Sequence, residues 1–122
     1  MKISNSQAKT RTVARHNRRR ISAIKNNIPE QDRLIRLAQL FAVLADPTRL
    51  KIMIGLRQEE LCVHELGDLA GPSLSAVSHQ LRILKAMHLV RFRKQGQEVF
   101  YTLDDDHIKK LIDLAGEHIN EI

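Results

Sequence analysis

The chain has 122 residues, 43% of them apolar and 3% aromatic, with 20 Lys/Arg against 14 Asp/Glu and a net charge of +6. That length supports one domain with a modest core of Leu, Ile, Val, Ala and Met, and so few aromatics argue against a protein that stacks single-stranded bases. A single cysteine, Cys62, excludes an intramolecular disulfide and fits a reducing cytoplasm. No run of about 18 apolar residues marks a membrane span, and the basic N-terminus lacks the apolar centre of a signal peptide, so a cytoplasmic protein is expected.

The charge is uneven. Residues 1–25 hold eight Lys/Arg and no acid, so the rest of the chain sums to −2. Residues 1–28 read as a basic flexible arm, helical near its end, that strengthens DNA association through counterion release or is simply solvated. Pro29 marks the boundary to a domain over residues 29–122. Glu30 to Leu44 reads as a first helix, with Leu34, Leu37, Ala38, Phe41 and Leu44 at three- and four-residue steps. Asp46-Pro47 restarts the chain, Asp46 as N-cap and Pro47 at the first helical position. The second helix runs to about Arg57, with Leu50, Met53, Ile54 and Leu56 expected inward. A third helix covers Leu61 to Ala70 and ends at Gly71-Pro72.

The fourth helix starts at Ser73, a good N-cap. Val77, Leu81, Leu84 and Leu89 share one face, while Ser75, Ser78, His79, Arg82 and Lys85 lie away from it. Two helices joined by about three residues containing Gly form a helix-turn-helix. From Val90 the period changes to two: Val90, Phe92, Val99 and Tyr101 alternate with Arg91, Arg93, Glu98 and Phe100 around Gln95-Gly96, a hairpin turn. No acid occurs from Leu69 to Gln97, whereas five Lys/Arg do. A polar helix face followed by a basic hairpin suits a helix in the major groove and a wing on the phosphate backbone. With a final amphipathic helix from Asp104 to Glu121, the expected fold is mainly α with a small β-hairpin wing. It is a winged helix-turn-helix of five helices, with the hairpin before the last.

The last helix carries Asp105, His107, His118 and Glu121 in the pattern D-x-H-x10-H-x2-E. Eleven residues of helix return to within about 20° of the same face and rise ~16.5 Å, so the two histidines of one chain cannot share an ion. Two such helices, antiparallel about a two-fold axis, bring Asp105 and His107 of one chain to His118 and Glu121 of the other. Two imidazoles and two carboxylates suit Zn(II), with Co(II) or Cd(II) as substitutes. The stripe Ile108, Leu111, Ile112, Ala115, Ile119 and Ile122 would form the dimer contact. The plainer alternative is that the aspartates only cap the helix and the histidines are solvated.

The runs FAVLADPTRL (Phe41–Leu50), ELCVHEL (Glu60–Leu66), LSAVSHQLRILK (Leu74–Lys85) and VRFRKQGQEVFYTL (Val90–Leu103), with the pattern of the last helix, resemble the ArsR/SmtB family of metal-responsive bacterial repressors, closest to its zinc-sensing branch. The resemblance implies a dimeric winged-helix protein that binds operator DNA without metal and releases it when metal binds. It implies that the fourth helix reads DNA, and that Asp105, His107, His118 and Glu121 form the metal site shared across the dimer. For DNA, Ser75, Ser78, His79, Gln80 and Arg82 are expected on the reading helix, and Arg93, Lys94 and Gln97 on the wing. Some relatives carry a second site built from a cysteine near the third helix and N-terminal ligands of the other chain. Here Cys62, His64 and Glu65, with His16 from the arm, are the candidates, although the arm lacks cysteine.

An enzyme is not expected: H-E-x-x-H, a Gly-rich phosphate loop and G-x-S-x-G are all missing. No membrane partner and no small organic substrate are expected. The competing readings are a regulator of the same fold not controlled by metal and a sequence-independent architectural DNA binder.

Overall fold

The computed structural model describes Arg15 and residues 17–121. The chain divides into two compact units after Ala38. In the described part of the first, residues 17–26 form a helix, α1, whose end is closed by Asn27 and Ile28 amides donating to the carbonyls of Ile24 and Lys25. Helix α2 (Gln31–Leu44) begins in this unit.

The second unit follows from Gln39. Its elements after α2 are α3 (Pro47–Gln58), β1 (Leu61–Cys62), α4 (Val63–Ala70), α5 (Leu74–Ala86), β2 (Val90–Gln95), β3 (Glu98–Leu103) and α6 (Asp106–Asn120). Asp46 caps α3 as its side chain accepts from the Arg49 amide at 2.9 Å, with Pro47 in the first turn. Ile52, Met53 and Leu56 are the buried residues of α3, whereas Leu50 is half-buried and Ile54 is 49% exposed. The expectation that Ile54 turns inward is corrected. At 100° per residue it lies roughly 155° from the centre of the stripe set by residues 52, 53 and 56.

Leu61 and Cys62, expected to open a helix, instead form a short strand, so the sheet has three strands in the order β1-β3-β2 rather than a hairpin alone. Leu61 pairs with Tyr101 and Cys62 with Phe100. The helix starts two residues later, at Val63, because the Glu65 carboxylate accepts from the Cys62 amide at 2.9 Å, making Cys62 the N-cap.

Between α4 and α5 the chain turns through Gly71. A Cβ there would lie 2.1 Å from Val77 Cγ2, so only glycine permits this close approach of the two helices. Ser73 caps α5 by accepting from the Ala76 amide. Val77, Leu81, Leu84 and Leu89 are all buried, as their spacing predicts. The core joins them to Ile52, Met53, Leu56 and Leu66, and to Val90 and Leu103 from the sheet. The end of α5 is closed by His88 in a left-handed conformation (φ 57°), with the Leu89 amide donating to the Leu84 carbonyl at 3.0 Å. The hairpin turns at Gly96 (φ 64°), and Phe92 lies opposite Tyr101 with ring centroids 6.0 Å apart.

Helix α6 has no fully buried residue. Ile108, Leu111 and Ile112 pack partly against the core, while Leu114 and Ile119 are 62% and 65% exposed. The stripe expected to face a partner therefore splits. Its first half is engaged within the chain and only its second half is open. Ile122 lies outside the described residues.

Candidate nucleic-acid interface and metal centres

Ser75, Ser78, His79 and Arg82 are exposed on α5, on the side away from Val77, Leu81 and Leu84. Gln80 is half-buried, and its side-chain oxygen accepts from Arg49 Nη1 at 2.9 Å. Arg49 also donates through Nε to the Val43 carbonyl at 2.6 Å, which ties the end of α2 to α5. Spacing along one helix carries no signal for such a bond between separate helices.

On the wing, Lys94 and Gln97 are exposed near the tip. Arg93 is not free in the same way. Its guanidinium pairs with both Glu60 oxygens (Nε at 3.0 and 3.2 Å), donates to Gln95 at 2.7 Å and stands over the Phe100 ring. The Glu60 hydrogen bond raises the Arg93 pKa, and the same bond lowers that of Glu60. Arg93, expected on the DNA backbone, also braces the wing against the segment before β1. Lys85 lies 3.9 Å over the Phe92 ring, joining the end of α5 to the same hairpin.

The four residues of the last helix fall in two pairs at its two ends. Asp105 caps α6, Oδ1 accepting from the Ile108 amide at 3.0 Å, while Oδ2 faces His107 Nδ1 at 3.7 Å. The Ile108 amide is the main reason the Asp105 carboxyl is held below the usual range, with His107 adding to it. One carboxylate oxygen thus serves the helix and the other remains open to an ion. His118 and Glu121 are exposed at the far end, the Glu121 amide closing the helix on the His118 carbonyl. Arg57 of α3 holds the middle of α6 through two-pronged hydrogen bonds to Asp113 at 2.9–3.1 Å.

Among the described residues, one cluster of three metal-ligating side chains forms within a single chain: Cys62, His64 and Glu98, with donor atoms all within 4.8 Å of one another. Glu98 was not expected in this cluster. The signal that finds it is the β1–β3 register, hidden in sequence because β1 has only two residues. Glu65, expected as a ligand, is held in the cap of α4, and the Cys62 amide lowers its pKa. The thiol of Cys62 is pulled down by the Glu65 amide, but burial and the Glu65 carboxylate outweigh this and its pKa is raised. His16 lies outside the described residues.

A core of packed helices and sheet, two helices joined by a tight glycine turn, and a basic hairpin braced beside an exposed polar helix face define a winged helix-turn-helix of the DNA-binding regulator type. Residues 46–91 match the family described as "Bacterial regulatory protein, arsR family". The chain is 39% identical over 101 residues to a transcriptional repressor SmtB homolog from Synechocystis, covering 83% of this chain and 76% of that one. It is 36% identical over 104 residues to a cadmium resistance transcriptional regulatory protein CadC homolog from Staphylococcus aureus, covering 84% and 85%. The chain belongs to the arsR family of bacterial regulatory proteins, which are transcriptional regulators and not enzymes. Its fold matches the homodimeric winged helix-turn-helix DNA-binding domain of a possible ArsR-family regulator from Mycobacterium bovis. That match has a TM-score of 0.70 and 26% identity, and covers 78% of this chain and 90% of that one. No helix among the described residues is long and apolar enough to cross a membrane.

Proposed function

We propose that this protein is a metal-responsive repressor. As a homodimer it binds double-stranded operator DNA, and it is released when Zn(II) occupies a site shared between the two α6 helices. The observation that carries this reading is α6 itself. Its C-terminal half leaves Leu114 and Ile119 uncovered, and it bears a His/carboxylate pair at each end. An open apolar groove between α3 and α6, lined by Ile54 and Ile119 among others, offers further surface to a partner helix. Antiparallel pairing of two α6 helices joins Asp105 and His107 to the partner's His118 and the partner's Glu121. Two imidazoles and two carboxylates fit a tetrahedral divalent ion of the Zn(II) type, with Co(II) or Cd(II) as substitutes. When bound, the ion cross-links the protomers.

The residues of the chain perform the rest. Ser75, Ser78, His79 and Arg82 read base edges, with the Gln80 amide nitrogen beside them, and Lys94 and Gln97 hold the phosphate backbone. Arg93 keeps the wing in place. Cross-linking α6 sets the relative orientation of the two reading helices, and release follows only if the metal-bound arrangement fits DNA less well. Linkage requires DNA to weaken metal affinity by the same factor, with a coupling of about 1–3 kcal/mol.

Operator binding followed by fluorescence anisotropy, with zinc and then with a chelator, tests this. Wild-type protein leaves the operator on zinc addition and returns on chelation. His118→Ala binds the operator but stays bound when zinc is added. A His118→Ala dimer that still releases its operator would overturn the α6 mechanism.

A further inference from the structure

We infer that Arg57 and Asp113 are positioning residues for operator release: their two-pronged bond makes α3 a strut that carries a shift of α6 to the DNA-reading helix α5 of the same protomer. The inference rests on the α6 reading proposed above and adds to it the residues that transmit its effect.

Asp113 stands six residues after His107 and five before His118, midway between the two pairs of candidate ligands. One guanidinium holds both of its oxygens. Arg57 Nε lies 3.0 Å from Oδ1 and 3.1 Å from Oδ2, and Nη2 lies 2.9 Å from Oδ2. Among the described residues, no other side-chain hydrogen bond joins α6 to another element. The remaining attachment of α6 to the core is apolar, through Ile108, Leu111 and Ile112. Apolar contact is non-directional and lets a helix slide or turn, whereas a guanidinium–carboxylate fork fixes distance and orientation together.

The other end of α3 meets α5. Arg49, eight residues before Arg57 and so ~12 Å along the axis, donates to Gln80 at 2.9 Å. Gln80 sits between the exposed His79 and the buried Leu81 of α5. Between the two arginines, Ile52 and Met53 are fully buried and Leu56 nearly so, which keeps α3 in one piece. A displacement of Asp113 therefore moves α3 as a body and arrives at Gln80.

The Arg57 and Asp113 side chains are 42% and 43% exposed. An ion pair this open contributes little to folding, so its removal separates transmission from stability.

Operator affinity of the full-length dimer is measured by fluorescence anisotropy with saturating Zn²⁺ and with a chelator. The ratio of the two affinities is the coupling. Zinc affinity without DNA and the melting temperature are measured beside it. Arg57→Gln and Asp113→Asn should each keep metal-free operator affinity and zinc affinity within about twofold of the wild type. Each should lower the coupling ratio by roughly 2–30-fold. The double variant should lose no more than either single one, because the two residues share one bond. An unchanged ratio in the single variants, or losses that multiply in the double variant, overturns the strut and leaves the α6 reading standing. A fall in stability or metal-free operator affinity with the ratio intact makes the pair a structural brace and overturns the inference equally. A wild type whose operator affinity ignores zinc overturns the α6 reading, and the strut with it.

Discussion

Arg49 donates from Nη1 to the side-chain oxygen of Gln80 at 2.9 Å while its Nε holds the Val43 carbonyl at 2.6 Å. One guanidinium therefore fixes the start of α3, the end of α2 and the middle of α5. A lysine cannot reproduce this fork. Arg49→Lys and Gln80→Ala should each lose about 0.5–1.5 kcal/mol of stability, read as a lowered urea midpoint. In a double-mutant cycle the two losses should be non-additive, because the residues share one bond. Operator affinity should fall in both variants through displacement of α5, and additive losses would show that the bond couples nothing.

Direct readout should reside on the exposed face of α5. Ser78→Ala and His79→Ala should each cost about 1–3 kcal/mol of preference for the operator over random DNA. Lys94→Ala on the wing should weaken both DNAs alike and make the salt slope shallower by roughly one unit. Anisotropy titrations at several salt concentrations separate the two. Equal losses on both DNAs from Ser78→Ala would count against the assignment.

Asp105 has two separable roles. Its carboxyl pKa is lowered in the folded chain, chiefly by the Ile108 amide. The charge-dependent part of its capping contribution is therefore complete above the ordinary carboxylate range and is lost as pH falls through the lowered folded value. Asparagine caps as well as aspartate but does not titrate. Asp105→Asn should match the wild type near neutral pH and gain on it as the pH drops below about 4, as denaturation midpoints over a pH series will record. The same variant should lose zinc-induced release, because the amide is a poor metal ligand. Retained release would remove Asp105 from the site.

His88 occupies a left-handed position that closes α5. A left-handed conformation costs a non-glycine residue roughly 1–2 kcal/mol, partly offset by the greater unfolded-state entropy of glycine. His88→Gly should raise thermal stability by a few degrees and leave DNA binding in place. A lower melting temperature would mean that the imidazole makes a contact worth more than the strain it relieves.

Periodicity and local chemistry were sufficient for much of this protein. The stripe of Val77, Leu81 and Leu84, the Asp46 and Ser73 caps and the switch to period two at Val90 depend on neighbours a few residues apart, so the sequence displays them directly. The eleven-residue spacing of His107 and His118 also suffices to show that one helix cannot bring them together, since helical rise is a local property. Tertiary structure alone decided the rest. Whether Ile54 faces in or out depended on which stripe of α3 met the core. The strand at Leu61–Cys62 was too short to show alternation and exists because β3 offers it a partner. The bonds from Arg49 to Gln80 and from Arg57 to Asp113 span 31 and 56 residues of chain. The meeting of Glu98 with Cys62 and His64 follows from strand register. Contacts of this kind are settled by how whole elements pack, and a linear sequence carries no period from which to read them.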